Sequence, residues 1–151
     1  MPDSLELALQ PDPRRLTLGC FLDDVAARHG SRVALRQPAA LSGAGQDITY
    51  ADLHAKAQTL ARGLVGLGVV KGARVAVLMS NRAEWVVAAF AVGLVGAVLV
   101  PVNTFATPHE LDYILRHSDA SLLLMQRELL SHEFLADLVA RHPAIGQGEP
   151  G

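Results

Sequence analysis

Between Gly72 and Met125 the chain alternates short apolar runs with segments that open on helix-start residues. The apolar runs are RVAVLM at 74–79, AVLV at 97–100 and SLLLM at 121–125. Runs this short, apolar at nearly every position, read as strands covered on both faces. Asn81 with Glu84 forms the first helix-start signal. The Asn81 side-chain oxygen can accept a free helix N–H, and Glu84 suits the positive end of the helix dipole. Thr107–Pro108–His109–Glu110 forms the second and stronger one, with Thr as cap, Pro at the first helical position and Glu at the third. Leu111, Ile114 and Leu115 give that helix its apolar stripe. Three strands joined by two helices make two βαβ units. The expected fold class is therefore α/β, a mostly parallel sheet with covering helices.

Upstream the periodicity changes. Leu18, Phe21, Leu22, Val25 and Ala26 share one face of a helix predicted over 18–29, with Thr17 before it and Gly30 placed to close it. Val33–Arg36 and Asp47–Tyr50 read as two short strands around the turn-rich PAALSGAGQ, forming a small antiparallel N-terminal ribbon. Thr49 with Asp52 starts a helix over 50–66, with Leu53, Ala57, Leu60, Ala61 and Leu64 inward and Gly68 as its stop. Downstream, Glu128–Arg141 reads as a further helix and HPAIGQGEPG as loop. The expected organisation is a flexible lead-in over 1–16, a partial α/β domain over 17–142 and a tail over 143–151.

Composition narrows the function classes. Half of the 151 residues are hydrophobic, under a fifth are charged, and the net charge is −2. That balance suits a packed core and offers no electrostatic attraction to nucleic acid or an anionic membrane. Trp85 to Val100 carries no charge over sixteen residues. As a helix it would be about 24 Å long, short of the roughly 30 Å hydrocarbon core. Gly93, Gly96 and Pro101 also divide it into a helix and a strand, so no transmembrane span is expected. Cys20 is the lone cysteine, and the N-terminus lacks a basic region followed by an apolar one. Both favour a reducing, cytoplasmic location.

Few residues carry chemistry. The run from Gly63 through Gly66 to Gly68 has the wrong order for a dinucleotide loop and ends a helix instead of starting one. SGAG at 42–45 lacks a following Lys and helix. The six histidines show no HxH or HxxxH spacing, so no metal site is expected. No serine stands in GxSxG. We therefore expect no catalytic, cofactor-binding or metal-binding residue here. Asn81, Asn103 and Thr104 are weak substrate-edge candidates, because they follow apolar strands and ligands of open α/β sheets gather beyond the carboxyl ends of strands. A helix cap at Asn81 and a polar turn at Asn103–Thr104 are the simpler readings.

Taken in order, ITYADL, GLGVVKGARVAVLMSN, EWVVAAFAVGLVGAVLVPVNT and ELDYILRHSDASLLL resemble the N-terminal region of the acyl-activating, AMP-forming enzymes, in their acyl-CoA synthetase form. The resemblance covers roughly Leu16 to Leu130. It implies a parent enzyme that uses a carboxylic (fatty) acid, ATP with Mg²⁺, and CoA. Such an enzyme forms an acyl-adenylate and then a thioester, stabilising anionic charge with Mg²⁺, Lys and backbone donors. The family's Ser/Thr/Gly-rich phosphate loop ending in Lys has no counterpart here. The two lysines, Lys56 and Lys71, stand in a predicted helix and in a turn before a strand. The resemblance thus implies an N-terminal, scaffold-only part of such a ligase, inactive alone. The alternative is a standalone, non-catalytic α/β binding or interaction module.

Overall fold

The computed structural model describes residues 17–38, 45–129 and 132–143. The expected lead-in over 1–16 lies outside them, as do most of the SGAG loop and of the tail.

At the centre stands a parallel three-stranded sheet. Its strands are β3 (Arg74–Leu78), β4 (Val98–Pro101) and β5 (Leu122–Met125), in the order β4-β3-β5. Val75 lies level with Leu99 on one side and Leu122 on the other, and Ala76 with Val100 and Leu123. The first strand in the chain is thus the middle one. Val75, Ala76, Val77 and Leu78 are fully buried, which explains why the run is apolar without alternation.

Helices cover both faces. Before the sheet come α1 (Leu18–His29), the ribbon of β1 (Val33–Gln37) and β2 (Gln46–Thr49), and α2 (Tyr50–Gly66). Helix α3 (Ala83–Val95) joins β3 to β4, and α4 (Pro108–His117) joins β4 to β5. Val75 packs with Leu64 of α2 and with Ala91 and Val92 of α3. On the opposite face Ala76 and Leu78 pack with Leu111 of α4 and with Phe134 and Leu138. Leu22, Ile48, Leu53, Ala57 and Ala83 join α1, the ribbon, α2 and α3 in a third cluster. The fold class is as expected.

Local readings fared unevenly. Helix α2 has a complete capping box: Thr49 Oγ1 accepts the Asp52 N–H at 3.1 Å, and Asp52 Oδ2 accepts the Thr49 N–H at 3.3 Å. Gly68 follows with φ +83°, the left-handed conformation glycine tolerates best. Gly30 closes α1 for a different reason. Its φ is helical at −50°, but a side chain there would meet the Ala26 carbonyl oxygen at 2.7 Å.

Three expectations need correction. Helix α1 is rotated from the predicted face, so Leu18 and Phe21 are exposed while Gly19 and Leu22 are buried. Small residues set this crossing: a Cβ on Gly19 would meet Leu94, and one on Gly93 would meet Leu18. The helix predicted over Glu128–Arg141 begins only at Phe134. Its first part is a short antiparallel pair of β6 (Glu128–Leu129) and β7 (His132–Glu133), followed by α5 (Phe134–Arg141). The amphipathic spacing of Phe134 and Leu138 marks the true helix.

The third correction is Asn81, which is not the cap of α3. Arg82 holds that position and makes no side-chain cap bond. The Ala83 N–H instead donates to Gln37 Oε1 at 3.0 Å, from the end of the ribbon. The helix enters one residue later than the Asn81 reading requires, and a distant amide takes up the orphan donor.

Candidate functional site at the carboxyl edge of the sheet

Strands β3 and β4 are parallel neighbours that end level, with the Val102 N–H donating to the Val77 carbonyl at 2.9 Å. Their onward connections part at once. The chain after β3 turns into α3 on one face, and the chain after β4 turns into α4 on the other. Adjacent strands whose connections leave in opposite directions open a crevice at their carboxyl ends, the usual ligand position in an open α/β sheet.

Asn81 lies on the first of these connections, and Asn103 and Thr104 on the second. The sheet therefore brings the three weak candidates to one edge. Asn81 is exposed. Asn103 is exposed too, and its Oδ1 accepts the Phe105 N–H at 3.0 Å, fixing the turn. Thr104 is half-buried. Phe105 projects beside them, 80% exposed.

Sequence reading missed the group that orders this edge. Gln126, just past β5, is the one polar residue among the described ones that is buried with the core. Its Oε1 accepts both the Ser80 N–H at 2.7 Å and the Ser80 hydroxyl at 2.9 Å, and its Nε2 donates to the Glu128 carbonyl at 2.7 Å. One amide thus ties the connection after β3 to the connection after β5. No local pattern announces such a residue, because its partner is 46 positions away.

The charges of the site are spent on structure. Arg82 donates to both carboxylate oxygens of Glu84, at 2.8 and 2.9 Å. That bond holds Glu84 below the ordinary carboxylate range and raises Arg82. On the far face Asp112 accepts from His142 Nε2 at 3.0 Å and from Arg141 Nη1 at 2.7 Å, and its carboxyl is held below its usual range by those partners. Every shift resolved among the described residues favours the charged form. A general acid or base poised near neutrality shows the reverse pattern, so these groups are structural ion pairs and, at Asp52 and Glu110, helix-capping carboxylates.

The described residues do not fit ATP or Mg²⁺. Lys56 lies exposed within α2, and the aliphatic part of Lys71 packs beside Gly96. Among the described residues no three His, Cys, Asp or Glu side chains gather to hold a metal ion. Nor is any of their helices long and apolar enough to cross a membrane. The arrangement can position a ligand by hydrogen bonds and shape.

A family profile described as AMP-binding enzyme matches residues 22–148. The chain belongs to the AMP-binding enzyme family. Relatives of this chain include an acyl-CoA ligase of Aspergillus fumigatus, 36% identical over 129 residues that span 83% of this chain and 21% of that protein. A long-chain-fatty-acid–CoA ligase of Thermus thermophilus is 37% identical over 115 residues, spanning 76% of this chain and 21% of the relative. Among solved structures, the unliganded o-succinylbenzoate coenzyme A synthetase of Bacillus subtilis matches with a TM-score of 0.67 and 31% identity, over 80% of this chain and 24% of that one. The chain therefore spans about a fifth to a quarter of the length of these relatives.

Proposed function

We propose that these residues serve as the scaffold portion of an ATP-dependent acyl-CoA synthetase. That enzyme would convert a carboxylate and ATP to an acyl-adenylate and then, with CoA, to a thioester. The observation that carries the reading is the family match over most of the chain together with relatives named as acyl-CoA ligases. The absence of a phosphate loop from the 151 residues assigns them the framework behind the reacting groups. ATP, Mg²⁺ and CoA would be held by residues beyond this set, and Asn81, Asn103 and Thr104 would border the path of the acid. A fatty acid as substrate and a cytoplasmic setting suit the long-chain relative and the lone Cys20.

Carboxylate-driven exchange between pyrophosphate and ATP tests this reading. The 151-residue chain alone should give none. The same chain joined to the downstream region of the Thermus thermophilus ligase should give exchange. In that chimera Thr104→Ala should raise KM for the acid more than it lowers kcat. A folded chimera without exchange would overturn the proposal and favour a standalone binding module.

A further inference from the structure

A concave feature lies where the ribbon meets the start of α3, a cleft of about 290 Å³. Leu35, Pro38, Trp85 and Val86 form apolar walls, and Gln37 and Asn81 contribute to its rim. That volume is at the small end for ligand sites and suits one or two aromatic rings.

The polar groups around it define the ligand further. Arg36 is neutralised by both oxygens of Asp47 at 2.8 Å, and Arg82 by Glu84. The Gln37 side-chain oxygen Oε1 already accepts the Ala83 N–H. Two donors remain. Among the described residues neither the Asn81 amide nor the Trp85 indole N–H has a hydrogen-bond partner, though both residues line the cleft. We propose that this cleft binds a flat, uncharged aromatic group that carries a hydrogen-bond acceptor, such as an aryl ketone or aryl amide. The ring stacks against Trp85 and the apolar walls, and the acceptor takes the Asn81 or Trp85 donor. The spent cations give a carboxylate no advantage here. The proposal shares only Asn81 with the ligase reading; the rest of the cleft is residues 35–38 and 82–86.

Photolabelling of the full chain with benzophenone tests it, because the probe is a neutral aryl ketone and its adducts can be mapped by mass spectrometry. Labelling should concentrate on the peptides carrying Leu35–Pro38 and Asn81–Val86, saturate, and fall when acetophenone competes. The double variant Asn81→Ala with Trp85→Phe keeps the ring and should weaken labelling about fivefold. Adducts gathered instead at Phe105 and Leu67, which are 80% and 64% exposed, would overturn the site. Equal labelling of the variant would overturn the role of the donors. Stronger labelling by 4-benzoylbenzoate than by benzophenone would overturn the uncharged ligand class.

Discussion

Helices α3 and α4 both cross between parallel strands, yet they are held in opposite ways. Helix α4 carries its own beginning: Thr107 Oγ1 accepts the Glu110 N–H at 3.3 Å, and Glu110 Oε2 accepts the Thr107 N–H at 2.7 Å. It lies on the surface, with Leu111 as its one fully buried residue. Helix α3 has no cap of its own and borrows Gln37 from the ribbon. It buries Ala83, Ala88, Ala91 and Val92 beneath α1 and α2. A surface helix cannot rely on neighbours for its ends, so its start is written in adjacent residues. A buried helix can draw on neighbours even for a terminal hydrogen bond.

The largest perturbation should come from removing the anchor of α4. Leu111→Ala should destabilise the fold by about 2–5 kcal/mol in denaturant titrations, because the site sits between α4, β3 and α5. A loss under 1 kcal/mol would mean that α4 is held by its own ends and not by packing. Thr107→Ala should cost about 1 kcal/mol, and Thr107→Ser should restore most of it.

On α3 the corresponding test is non-local. Gln37→Ala should cost about 1 kcal/mol and speed hydrogen exchange at Ala83, while Asn81→Ala should leave stability within about 0.5 kcal/mol. The reverse ranking would return the cap to Asn81.

The smallest effect concerns pH. The depressed Asp112 carboxyl contributes stability that is present above its ordinary range and is lost as pH falls through its lowered value. Asp112→Asn should flatten the acid limb of the stability profile and loosen α5, which Arg141 also ties to the Pro108 carbonyl. An unchanged acid limb would show that Asp112 titrates without affecting the fold.

The same contrast explains what could be read from the chain. The strands of the central sheet and of the ribbon, the α4 start and the α2 capping box depend on residues within a few positions of one another, and they are legible. Apolar runs such as Val75–Leu78 also betray burial on both faces without any knowledge of partners. The Gln37 cap and the Gln126–Ser80 tie each bridge 46 positions, so nothing beside Gln37, Ser80 or Gln126 announces them. The rotation of α1 was hidden because Gly19 and Gly93 act through the space they leave, not through hydrophobicity. Asn81, Asn103 and Thr104 could be placed at a strand end, but only the strand order shows that β3 and β4 are neighbours with diverging exits.

Because β3 is both the earliest and the middle of the three parallel strands among the described residues, a chain emerging from the ribosome presents it before either neighbour. Each later strand then docks on a surface already made, first on one flank and then on the other. Growth outward from a central seed spares the protein from having to pry open a finished pairing to insert a latecomer. Proteolysis of ribosome-stalled chains should find Val75–Leu78 protected as soon as β4 is out, before β5 has been made.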